Sequence, residues 1–211
     1  MNEIDHLIRL YENLRDHIEK RLEEFRAKKD GSETEILKEF IFCTLTPQSK
    51  AKVCWKAVEN IFDSKVYLNP SEEEIKKFLK GVRFPNNKAK FVTQNLRKIE
   101  ESSFNLKEFV KDSTPPEEKR TFLMKNFKGL GMKEASHFLR NTGHFDLAIL
   151  DRHILRNLAK IGVIRRLPES LTPKSYMLIE EKMKEFSNQI GIPFAHLDML
   201  LWAKETGEVF K

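Results

Sequence analysis

Apolar residues recur at intervals of three and four along most of the 211-residue chain, and no stretch alternates as a strand would. Ile4, Leu7, Ile8, Tyr11, Leu14, Ile18, Leu22 and Phe25 predict one long amphipathic helix, broken at Asp30-Gly31. Ser32-Glu33-Thr34-Glu35 is a capping-box pattern that opens a second helix running to about Leu45. A third is expected to start within Thr46-Pro47-Gln48-Ser49 and to carry Val53, Trp55, Val58 and Phe62. Ser71-Glu72-Glu73-Glu74 caps a fourth, to about Lys80, and a loop over 81–90 leads into a helix at 88–100. Further helices are expected at 105–112, 117–126, 133–141, 152–161, 174–190 and 194–204. The pattern predicts an all-α protein.

Between two of these helices lies Lys128-Gly129-Leu130-Gly131-Met132, two glycines around one leucine. Glycine permits positive φ and a close approach of the backbone to another surface. The helix that follows begins with free N–H groups, which suit an anion such as a phosphate. Lys133 stands two residues after Gly131, and Asp151 eighteen residues after Lys133. Asp151 directly precedes a helix, so it is a candidate N-cap, a place that keeps a carboxylate ionised and oriented.

Charge adds to this picture once it is located. Residues 119–166 hold eleven Lys/Arg against three acids, a net +8, more than the +6 of the whole chain. A basic field centred on the glycine turn is the footprint of a phosphate-binding face. No apolar run approaches the roughly 18 residues of a membrane span, so no membrane association is expected. Cys43 and Cys54 are the only cysteines. They are too few for an iron–sulfur cluster, which takes about four thiolates, and are expected to be buried, reduced packing residues of a cytoplasmic protein.

Gly129-x-Gly131-x-Lys133 with Asp151-x-His153 at this distance resembles the helix-hairpin-helix, Gly/Pro-rich loop and aspartate (HhH-GPD) signature of base-excision DNA glycosylases. Within that superfamily the chain is similar, over nearly its whole length, to the small second class of bifunctional 8-oxoguanine DNA glycosylase/AP lyases of archaea and bacteria. The resemblance implies a two-lobed helical fold with the active site in a cleft between lobes. One lobe would be 46–135, ending in the hairpin, and the other 1–45 plus 136–211. Lys133 falls on the family's nucleophile and Asp151 on its aspartate. Gly129, Gly131 and Met132 fall on the DNA-gripping hairpin, and Gln48 on the polar residue that fills the gap left by a flipped base.

Arg83-Phe84-Pro85-Asn86-Asn87-Lys88-Ala89 is similar to a run carried by that class. Phe84 is a candidate to stack on a nucleobase, and equally a packing phenylalanine; Arg83 and Lys88 are phosphate or structural residues. Trp202 and Lys211 match positions that read the damaged guanine. Implied partners are double-stranded DNA containing 8-oxoguanine and no other subunit, with a nucleoid-associated location. No cofactor is implied beyond a structural monovalent cation on hairpin carbonyls. Two alternatives stay open: the same chemistry on another oxidised base, and a hairpin module that binds DNA without catalysis.

Overall fold

The computed structural model describes residues 3–211, and its regular structure among them is entirely helical. In chain order the helices are α1 (Glu3–Lys28), α2 (Glu33–Leu45), α3 (Ala51–Asp63), α4 (Glu72–Lys77), α5 (Pro85–Glu101) and α6 (Leu106–Lys111). They continue with α7 (Pro116–Asn126), α8 (Met132–Asn141), α9 (Arg152–Lys160), α10 (Pro173–Ile190) and α11 (Phe194–Thr206). A 3₁₀ turn at Val66–Leu68 was not foreseen from the pattern. The capping box forms at α2: Ser32 Oγ accepts from Glu35 N and Glu35 Oε2 accepts from Ser32 N. No helix among the described residues is long and apolar enough to cross a membrane.

Two helix starts differ from expectation. α3 begins at Ala51, so Gln48 lies in a turn before the helix and not in its first turn. α5 begins at Pro85, three residues earlier than expected. Proline's fixed φ and missing N–H suit the first helical position, and Phe84 takes the cap in a left-handed conformation at φ 57°.

Burial divides the chain into two hydrophobic cores. The first gathers Phe40 and Phe42 of α2 with residues of α3 to α8, including Val58, Val92, Leu123 and Phe138. The second joins Leu7, Ile18 and Phe25 of α1 to Ile154, Met183, Leu197 and Leu200 of α9, α10 and α11. The lobe boundaries expected at 45/46 and 135/136 therefore do not match the packing. Helix α2 belongs with the first core, because its buried face meets α3 and α8. Helix α8 also puts Phe138 and Leu139 there, while Met132 at its start packs against the second core.

Candidate active-site cleft

Residues from both cores line a cleft of about 1040 Å³. Its lining includes Lys133, His137 and Arg140 of α8, which at spacings of four and three share one helix face. The turn before α3 contributes Gln48 and Ser49; residues 149–154 contribute Asp151 and His153; Asp198, Trp202 and Lys211 complete the lining named here. Six of the sequence candidates, Lys133, Asp151, Gln48, Arg83, Trp202 and Lys211, are thus brought together.

The segment before Asp151 has no neighbouring strand to satisfy its backbone, and buried amides need partners. Side chains supply them. Ala148 N donates to Glu180 Oε2 at 2.7 Å, Ile149 N to Asp198 Oδ1 at 3.0 Å, and Leu150 N to the Tyr176 hydroxyl at 3.0 Å. Both carboxylates are paired with arginines: Glu180 takes Arg120 through both oxygens, and Asp198 takes Arg140 at 3.0 Å. Burial pushes the Asp198 carboxyl up, and Arg140 opposes the shift. Asp151 then caps α9, its Oδ1 accepting from Ile154 N at 2.8 Å.

Lys133 sits in the first turn of α8, a quarter exposed, with its Nζ 3.0 Å from Glu134 Oε1. The other oxygen of Glu134 accepts from Gly131 N at 3.2 Å. Only one hairpin glycine uses positive φ: Gly129, at +77°, where an added Cβ would lie 2.8 Å from the Phe91 ring. Gly131 has φ −88°, which any residue adopts. Asn95 holds the turn from below, accepting from Lys128 N and donating to Lys128 O.

Gln48 is exposed and left-handed, at φ 56°. Lys88 braces it: its buried Nζ donates to Leu45 O at 2.6 Å, Pro47 O at 2.7 Å and Ser49 Oγ at 2.9 Å. Burial lowers the Lys88 pKa to about 8. Ser49 Oγ also accepts from Arg83 N at 2.9 Å, which ties this turn to the loop bearing Phe84. Phe84 itself does not line the cleft. It is 51% exposed, with the Arg83 guanidinium 5.5 Å from its ring centre.

The Lys211 side chain is buried, its Nζ 3.3 Å from the centre of the Trp55 ring and bonded to Glu39. Burial lowers its pKa to about 8 against the pull of Glu39. Glu39 is fully buried; burial disfavours its charge, but Lys211 and Lys28 together hold its carboxyl below the usual range. The Nε2 of the buried His137 ring has no hydrogen-bond partner. Burial first, then Arg140, Lys133 and Lys211, push the His137 pKa well below normal, so the ring is neutral.

Sequence reasoning did not single out Glu39, Trp55, His137, Arg140 or Asp198. For His137 and Arg140 a signal existed, their helical spacing from Lys133. Glu39 carried a weaker one, an acid set in the apolar run from Ile36 to Leu45.

A helical fold in two cores, with a glycine hairpin delivering a lysine to a cleft that also holds an aspartate, defines the class as a helix-hairpin-helix protein with an active-site-like cleft. A family model described as 8-oxoguanine DNA glycosylase matches residues 18–192. The 8-oxoguanine DNA glycosylase/AP lyase of Fusobacterium nucleatum is 44% identical, aligned over 100% of this chain and 97% of that protein. The protein of the same name from Methanocaldococcus jannaschii is 36% identical, over 94% of this chain and 93% of its own. Among solved structures, the 8-oxoguanine DNA glycosylase of Thermotoga maritima superposes with a TM-score of 0.87 at 35% identity, covering 99% of this chain and 98% of that one. The M. jannaschii glycosylase/lyase, solved with a 15mer DNA containing 8-oxoguanine, gives 0.86 at 35% identity, covering 98% and 100%. This chain belongs to the 8-oxoguanine DNA glycosylase family.

Proposed function

We propose that this chain excises 8-oxoguanine from double-stranded DNA and then nicks the abasic strand. The observation that carries the reading is that Lys133, at the start of α8, and Asp151, at the cap of α9, line one cleft. A base inside a duplex must be extruded before its sugar can be attacked, at a cost of a few kcal/mol. The amides and basic residues around the hairpin offset that cost by gripping the backbone. Gln48, on its braced turn, fills the gap, and Phe84, exposed on the loop tied to that turn, offers its ring to a nucleobase.

In the cleft, the amine nitrogen of Lys133 attacks C1′ of the deoxyribose. The glycosidic bond breaks and its electron pair leaves with the base, which takes up the proton that the Lys133 nitrogen sheds on bonding to C1′. The carboxylate of Asp151 steadies the positive charge that develops on the sugar. Ring opening gives a Schiff base with Lys133. Loss of a C2′ proton then expels the 3′ phosphate by β-elimination. Trp202 offers a face for the extruded base, and Lys211 a charged group beside it. The protein would act as a monomer. A structural monovalent cation would sit on hairpin carbonyls, and no step depends on it.

Borohydride trapping on a duplex with a single 8-oxoguanine tests the reading, with wild type and Lys133→Gln compared. An adduct with wild type alone supports both the chemistry and the nucleophile. An adduct with both would move the nucleophile elsewhere. Trapping only on another damaged base would sink the substrate, and tight binding with no adduct on any lesion would leave a binding module.

A further inference from the structure

A continuous line of buried polar groups joins the Lys211 side chain to the backbone before Asp151. Lys211 Nζ donates to Glu39 Oε1, as does Lys28 Nζ. Asn141 Nδ2 donates to Glu39 Oε2 at 2.9 Å. Asn141 Oδ1 accepts from Arg140 Nε at 3.2 Å and Nη2 at 3.1 Å. Arg140 Nη1 donates to Asp198 Oδ2, and Asp198 Oδ1 accepts from Ile149 N, two residues before Asp151. Glu39, Asn141, Arg140 and Asp198 are each no more than 3% exposed.

Asn141 is the joint of this line. On one side stands a carboxylate, which only accepts, and on the other a guanidinium, which only donates. A carboxamide carries one group of each kind. An aspartate there could serve Arg140 but not Glu39, and a leucine neither. A buried network with its members satisfied has few alternative arrangements, so displacement at one end is felt at the other.

We propose that Asn141 is a positioning residue that couples the Lys211 side chain to the placement of Asp151, so that a base seated against Lys211 sets the geometry of the excision step. The inference rests on the roles given above to Lys211 and Asp151. Its chemistry requires no group beyond those named.

The test is a double-mutant cycle, since spatial continuity alone does not establish coupling. Single-turnover release of 8-oxoguanine is measured for wild type, Lys211→Met, Asp198→Asn and the double variant, then again with Asn141→Leu in each. With Asn141 present, the double variant's loss is expected to differ from the product of the single losses by about fivefold or more; with Asn141→Leu, by less than about twofold. Nicking of a preformed abasic site separates positioning from general damage. No base is present there, so Asn141→Leu should slow release of 8-oxoguanine several-fold more than it slows nicking, whereas a merely structural fault would slow both alike. Melting temperatures check each variant. If Asn141→Leu does not fold, Asn141→Ser, too short to span both partners, takes its place. Multiplicative losses with Asn141 present, or coupling that survives its replacement, overturn the inference alone. Failure of wild type to release 8-oxoguanine overturns the proposed function together with it.

Discussion

Glu134 holds Lys133 Nζ with one carboxylate oxygen and Gly131 N with the other, so a single side chain ties the lysine to the turn that delivers it. Glu134→Ala removes both contacts and leaves a helix-start amide without its side-chain partner. The expected cost is about 1 kcal/mol of stability, typical of a lost cap. Urea unfolding measures it. Glu134→Gln keeps an acceptor for Gly131 N and should recover most of the loss.

The glycine turn makes a sharper case. At Gly129 an alanine meets two obstacles, a φ of +77° and a Cβ position 2.8 Å from the Phe91 ring. The left-handed conformation alone costs a side-chain-bearing residue about 1–2 kcal/mol. Gly129→Ala should lower the melting temperature and weaken binding to undamaged duplex, read by fluorescence anisotropy. Gly131→Ala, at φ −88°, has no such backbone penalty and should be the milder change.

Lys88 sets a pH dependence. Burial lowers its pKa in the folded chain to about 8, whereas a free lysine titrates near ~10.4. Between those values the unfolded chain binds more protons at this position than the folded one, so the Lys88 contribution to stability rises with pH across the window. Lys88→Met should flatten the slope of unfolding free energy against pH between about 8 and 10.4. Chemical denaturation of both proteins across that range is the measurement; equal slopes would show that Lys88 is not the group titrating. The same variant unbraces the left-handed Gln48 turn and should weaken DNA binding at pH 7.

Arg120 and Glu180 form a buried, two-pronged pair, with side chains 2% and 3% exposed. Removing one partner of such a pair costs about 3–5 kcal/mol, because the other charge is left buried and unpaired. Arg120→Met should therefore destabilise strongly. Adding Glu180→Gln should return part of the loss, because the glutamine is uncharged and still accepts from Ala148 N. Guanidinium denaturation of the two variants distinguishes them.

Much of this protein follows from interactions within a few residues, and those were legible in the chain. The capping box at Ser32, the proline at the start of α10 and the cap at Asp151 are each decided by neighbours within a few positions, and the spacing of the hairpin glycines is itself local. Helical periodicity likewise names the buried faces without saying what they meet. That is why Lys133 and Asp151 stand out as candidates.

What surrounds them was decided by tertiary structure. Glu39 meets Asn141 102 residues away and Lys211 172 residues away, and Arg140 meets Asp198 at a separation of 58. Lys88 reaches back 41 residues to Pro47 and braces Gln48 in a turn outside the helix, where sequence reasoning had opened α3. Helix α2 joined the first core because the face around Phe40 and Phe42 packs on α3 and α8, a choice among apolar faces that no local pattern makes. Local backbone preferences therefore determined the helices, the hairpin and the caps. Only the docking of distant faces decided which buried charges meet, because the cost of burying a charge is offset only when the fold brings its partner.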